Sequence, residues 1–150
     1  MNLETVPFEL RSLSECENYQ TWMVDRVAPF LGSRVLELGA GIGNLSKRMP
    51  VSELLCVTEA DPNLYSMLKE QMQSRCEAGL PIVSELLDLN SDYVSRFQEF
   101  NFDTIISFNV MEHVEDDEKA FSQQIEILKK SKSKNPKRIV IFVPAHKWAF

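Results

Sequence analysis

The chain has 150 residues, of which 44% are hydrophobic and 25% charged, with a formal net charge of −6. That length suits one domain with a sizeable core, and the composition is an ordinary globular balance rather than that of a disordered chain. The acidic balance argues against a broad electrostatic grip on nucleic acid. Three cysteines (Cys16, Cys56, Cys76) lie far apart with no CxxC pair, which reads as reduced thiols and no metal site. The N-terminal MNLETVPFELR lacks a basic region followed by an apolar one, so no signal peptide is expected and a cytoplasmic protein is. The apolar run at 139–143 is far too short to span a bilayer, so no membrane association is expected.

In chain order, residues 14–28 carry Cys16, Tyr19, Trp22, Met23 and Val27 near helical spacing, with Ser14 as N-cap and Pro29 as terminator. Residues 34–38 form a short apolar strand, and a helix is expected from about Gly43. Leu54 to Thr58 is a second strand. Asp61 and Pro62 make a good cap and first helical position, and Leu64, Met67, Leu68 and Met72 continue the period. Residues 81–87 give a third strand, 91–100 a short helix and 102–108 a fourth strand. A helix at 116–128 places Phe121, Ile125 and Leu128 on one face; 131–136 is a polar loop, and 138–143 the fifth strand.

Strands alternating with helices imply a doubly wound α/β fold: a mainly parallel sheet with helices on both faces. Ligands bind such sheets beyond the carboxyl ends of the strands. The residues falling there are the glycines Gly39, Gly41 and Gly43, then Glu59, Asp88, Asn109 and Pro144. The run VLELGAGIGNL decides the ligand class. A dinucleotide fingerprint needs a small residue where Asn44 stands, and Glu37 would repel a pyrophosphate while favouring an ammonium group.

The pattern Glu37, Gly39, Gly41, Gly43 resembles the first motif of class I S-adenosylmethionine-dependent methyltransferases. The segment at 102–117, FDTIISFNVMEHVEDD, resembles the fourth motif of small-molecule methyltransferases of the ubiquinone and menaquinone type. The resemblance implies S-adenosyl-L-methionine as cofactor, Rossmann-like folding, and a site built from Glu37, Gly39, Ala40, Gly41 and Gly43. Glu59 and Ala60 would serve the ribose, with Asp61 as the competing acid or a plain helix cap. Asp88 and Leu89 would serve the adenine, with a helix cap again the competing role for Asp88. Asn109 would run past the methionine part. Tyr19 and Trp22 resemble an aromatic pair that covers the cofactor, although packing on the sheet edge would explain them equally. Glu112 and His113 are the candidate catalytic residues; the imidazole is the side chain best suited to take a proton near neutrality, but a packed structural histidine is the commoner outcome. His146 and Trp148 would lie on the acceptor side, and Asp103 would fix the start of strand four.

The single domain is expected to comprise an N-terminal helical region (1–32) and a core (33–150). The family's sixth and seventh strands are missing, so the chain is expected to be C-terminally truncated, with strand five an open edge through which it could dimerise. The reaction implied is methyl transfer to an O, N or C atom of a small molecule, driven by proximity and alignment. Neither the N/D-P-P-Y/F motif nor a Pro-Cys pair follows strand four, which points away from nucleic-acid acceptors. The alternatives are a cofactor-binding module without catalysis and, against Glu37 and Asn44, a nicotinamide-linked oxidoreductase.

Overall fold

The structure is a computed structural model that describes residues 6–77 and 79–144; His146 and Trp148 lie outside the described residues. Five parallel strands, β1 (Arg34–Leu38), β2 (Leu54–Glu59), β3 (Ile82–Leu86), β4 (Thr104–Phe108) and β5 (Arg138–Phe142), form one sheet in the order β3-β2-β1-β4-β5. The order reverses between β2 and β4 on either side of β1, so β1 is central and its carboxyl end is the switch point. The helices are α1 (Phe8–Glu15), α2 (Glu17–Val27), α3 (Pro62–Glu77), α4 (Val94–Phe97) and α5 (Asp117–Lys130).

Both faces of the sheet are covered, and the two-residue period of the strands sorts their side chains between two cores. On one face Val35, Leu55, Val57, Ile106 and Phe108 pack with Met23, Val24 and Val27 of α2 and Leu68 and Met72 of α3. On the other, Leu36, Leu38, Leu54, Cys56 and Ile105 pack with Tyr93, Phe97, Phe102, Ile127 and Leu128. Burial pushes the Cys56 thiol up to about 12, leaving it an inert core group.

Asp103 organises the opposite, amino-terminal edge of the sheet. Its fully buried carboxylate accepts from the backbone N–H of Ser33 at 3.1 Å and of Arg34 at 3.3 Å, from the Thr104 hydroxyl at 3.2 Å and from Asn135 Nδ2 at 2.8 Å. Its own N–H donates to Arg34 O, and its carbonyl accepts from Arg138 N–H. One residue therefore fixes the start of β4, as expected for Asp103, and ties the starts of β1 and β5 to it as well. Gly32 is required beside it, because a Cβ there would lie 2.2 Å from the carboxylate.

Three sequence expectations are corrected. The 14–28 helix is two helices meeting at Cys16, and Ser14 is not its cap: the Ser14 hydroxyl donates to Arg11 O within α1. No α-helix follows Gly43. A single 3-10 turn at Ser46–Arg48 stands there, because Asn44, Leu45, Ser46 and Met49 turn inward and Arg75 of α3 takes the carbonyls of Ser46 (2.6 Å) and Met49 (3.0 Å) that a helix would use. The 91–100 helix is shorter, α4 plus a 3-10 turn ending at Asn101 in left-handed backbone (φ 54°). The Asp61 cap stands as read, with Oδ1 accepting from Asn63 N–H at 2.7 Å and Leu64 N–H at 3.0 Å.

Replacing Asp103 strands several buried donors at once, and each such loss costs about 1–3 kcal/mol. Asp103→Ala should therefore lower unfolding free energy by about 3 kcal/mol or more in urea titration. A change below about 1 kcal/mol would contradict the clamp.

Candidate cofactor site

Beyond the carboxyl ends of β1, β2 and β4 lies a cavity of about 760 Å³. The glycine loop forms its floor. Gly39 adopts φ +67°, and a Cβ there would meet Val110 Cγ2 at 2.5 Å, so the turn requires glycine twice over. Gly43 (φ +84°) is needed for a different contact: Met72 and Leu68 of α3 lie 2.9 and 3.0 Å from where its Cβ would be.

Two carboxylates dominate the floor. Glu59, the last residue of β2, accepts at Oε1 from Ala60 N–H (2.8 Å) and Asp61 N–H (3.0 Å), and at Oε2 from Gly41 N–H (2.8 Å). A carboxylate offers about four lone-pair sites, so Oε2 retains capacity for a ligand hydroxyl. Glu37 projects from β1 and is only 2% exposed, with Oε2 lacking a hydrogen-bond partner among the described residues. Burial drives its carboxyl from 4.5 up to about 7, opposed by the Ser46 side chain and the Arg75 charge and reinforced by Glu59. Thr58 braces both strands: its hydroxyl donates to Glu37 O (3.1 Å) and accepts from Gly39 N–H (3.3 Å).

The far wall comes from the end of β4. Asn109 takes φ 53°, a left-handed value that asparagine tolerates better than most side chains, and donates its N–H to Phe142 O at 2.8 Å. The chain then makes a 3-10 turn at Met111–His113 closed by His113 N–H on Val110 O. Asn109, Glu112 and His113 all line the cavity. His113 is exposed, whereas both Glu112 carboxylate oxygens are shielded without a hydrogen-bond partner among the described residues. Tyr19 of α2 closes the side.

The expected residues divide accordingly. Glu37, Gly39, Ala40, Gly41, Glu59, Ala60, Leu89, Asn109, Glu112, His113 and Tyr19 share the cavity, while Gly43, Asp88 and Trp22 stand outside its lining. Asp88 is exposed and bends back on itself, Oδ1 accepting from Asn90 N–H (2.9 Å) and Asn90 Nδ2 (3.0 Å), while its neighbours Leu87 and Leu89 line the wall. Trp22 stacks on Tyr19 at 5.8 Å and meets Phe142 of the β5 edge at 6.5 Å. Asn44, together with Leu10 and Leu13 of α1, also lines the cavity and was not among the expected residues. Phe8, Leu10 and Leu13 in FELRSLSE were the available signal for α1. Among the described lining residues there is neither Lys nor Arg, no group of three or more His, Cys, Asp or Glu is arranged to hold a metal, and no described helix is long and apolar enough to cross a membrane.

The model of the methyltransferase domain family matches residues 17–133. The chain belongs to that family. Among curated proteins, this methyltransferase domain is similar to the ubiquinone biosynthesis O-methyltransferase of Paracidovorax citrulli (strain AAC00-1), 30% identical over 108 residues that cover 72% of the chain and 44% of the relative. The chain thus spans less than half the length of that relative. Solved structures of similar fold include the methyltransferase domain of bacterial CtHen1 (TM-score 0.58, 16% identity, 83% of this chain and 64% of that one). An S-adenosylmethionine-dependent methyltransferase of Clostridium acetobutylicum ATCC 824 gives 0.56 at 16% identity, covering 78% and 46%. The [4+2]-cyclase SpnF gives 0.56 at 13%, covering 75% and 40%. The doubly wound sheet is the Rossmann-like class I methyltransferase fold. A cyclase of similar fold shows that the fold alone does not dictate the reaction.

Two predictions follow from the carboxylates. Because the folded-state pKa of Glu37 is raised, its neutral form stabilises the ligand-free protein fully below about pH 4.5, and the benefit is lost as pH rises through about 7. The span is worth about 3 kcal/mol. Glu37→Gln should therefore unfold at a higher temperature than the parent at pH 8, with the gap closing toward pH 4.5; a gap independent of pH would contradict this. Separately, Glu59→Ala should weaken binding of the cofactor product S-adenosylhomocysteine by about ten- to a hundredfold. Asp61→Ala should instead cost about 1 kcal/mol of stability through its lost cap, with little effect on affinity. Calorimetric titration of both variants checks the ranking.

Proposed function

We propose that this domain binds S-adenosylmethionine and transfers its methyl group to an O, N or C atom of a small molecule. One observation carries the reading: the described residues that line the cavity hold buried acceptors without donors and include no Lys or Arg. Glu37 Oε2, Asn44 Oδ1 and both Glu112 oxygens lack partners among the described residues, and the described lining holds neither Lys nor Arg. A buried acceptor without a donor is costly, so the fitting ligand brings an ammonium group, hydroxyls and positive charge, and no phosphate. S-adenosylmethionine matches on each count, and NAD fails on the pyrophosphate.

Glu37 would face the ammonium group, Glu59 the ribose hydroxyls, and the apolar wall of Leu64, Leu87 and Leu89 the adenine. Bound there, the cofactor supplies a methyl carbon already activated by its sulfonium. The protein's part is then to exclude water and hold the acceptor in line, worth up to about 7–11 kcal/mol of barrier. The apolar covering from Leu10, Leu13 and Met23 serves the first task. Glu112 and His113 would meet the acceptor, and the imidazole would receive its proton. Likeness to a ubiquinone-pathway O-methyltransferase supports a hydroxyl as acceptor atom. The alternative, binding without transfer, differs only in the product assay.

S-adenosylhomocysteine at about 100 times its dissociation constant should raise stability by about 2.7 kcal/mol, seen as a rise in melting temperature, and NAD at the same concentration should not. A shift with NAD and none with S-adenosylhomocysteine would overturn the reading.

A further inference from the structure

Asn44 directly follows the third glycine and is 3% exposed in the cavity wall. Its Nδ2 donates to Leu10 O of α1 at 2.8 Å, while its Oδ1 is shielded and has no partner among the described residues. Buried amides normally use both ends; this one uses one. The helix it holds lays Leu10 and Leu13 over the cavity, with Leu10 so close that a Cβ on Gly41 would lie 3.0 Å from it.

The two N-terminal helices are fastened differently. α2 is anchored in the core through Met23, Val24 and Val27, and its Gln20 accepts from Arg48 Nε at 2.8 Å. α1 joins it at Cys16, whose backbone (φ −96°, ψ 65°) is neither helical nor extended. The hydrogen bond from Gln20 Nε2 to Leu13 O sits close to that joint, whereas the Asn44 bond grips α1 farther from it. Cys16 is therefore the non-helical joint between an α2 anchored in the core and an α1 tied to the cavity wall at Asn44.

We propose that Asn44 is the latch by which an occupant of the cavity closes α1 over itself. An N–H or O–H donor on the occupant, admitted as α1 lifts, takes the unused Oδ1 and thereby holds Nδ2 on Leu10 O once α1 settles back. The latch is half-made without ligand and complete with it, and Asn44 acts as a positioning residue. The proposal rests on reading the cavity as the cofactor site and is independent of the acceptor.

Hydrogen exchange of residues 8–15, with and without S-adenosylhomocysteine on the full chain, tests it. In the parent protein, ligand should slow exchange of α1 by about tenfold or more. Asn44→Asp keeps an acceptor and loses the donor: it should still bind, but without the added protection of α1 and with dissociation at least about fivefold faster in stopped flow. Asn44→Ala should lose the protection and affinity together. A role confined to packing would lower melting temperature and leave ligand-induced protection intact, which would overturn the latch. So would a parent protein that binds S-adenosylhomocysteine while α1 exchanges unchanged, a result that needs no variant to fold. A parent that fails to bind overturns the cofactor reading, and the latch with it.

Discussion

The buried carboxylate of Asp103 is the constraint on which the remaining geometry depends. A parallel sheet has no tight hairpins to fix its register, since each crossover is long. Here the starts of β1, β4 and β5 are gathered on one side chain and its own peptide group, with the space kept by Gly32. With the amino-terminal edge pinned, strands of five or six residues must end in a narrow band at the other edge. That band is where Glu37, Glu59 and Asn109 have to be level for one small molecule to reach all three.

The site inverts the usual preference for satisfied polar groups. Its strand ends hold carboxylates where neutral turn residues would fold more easily, and Glu37 is kept at the cost of a carboxyl that ionises only with difficulty. On the proposed reading, stability given up in the empty protein would reappear as attraction for a cationic ligand, because a low-dielectric wall strengthens the same charge that it penalises. Glu59 illustrates the complementary device. It is tied to three backbone N–H groups, so its orientation is already fixed, and a ligand hydroxyl bound there would cost it little further entropy.

Much of this was legible in the residues. The five apolar runs gave all five strands, because a buried parallel strand is short, continuous and β-branched. The Asp61-Pro62 cap gave the start of α3. The acidic residue and glycines of the first motif gave the floor of the cavity. What escaped depends on contacts distant in sequence. The turn after Gly43 replaces a helix because Arg75, about 30 residues later, takes its carbonyls, and no local pattern announces that. The break at Cys16 hides within a periodicity that runs on through it. Asp88 lies outside the cavity lining because, in the turn just past β3, its carboxylate is taken by Asn90 while the flanking Leu87 and Leu89 are buried. Asn44 signals in the sequence only that a dinucleotide fingerprint is spoiled, because its contact with α1 spans 34 residues.

The short connection between Gly43 and β2 has a bearing on motion. Having no helix of its own, it is held by neighbours: Arg75, Leu68 and Met72 on one flank, and the N-terminal helices on the other. Its persistence is borrowed, so a fluctuation that lifts the second half of α3 would loosen this turn while Thr58 and Glu59 keep the glycine loop on β2 and every strand stays paired. Such partial openings lie below global unfolding in free energy. The opening of the turn behind Gly43 would accordingly be governed by the docking of α3, and the sheet beneath contributes the frame but not the tempo.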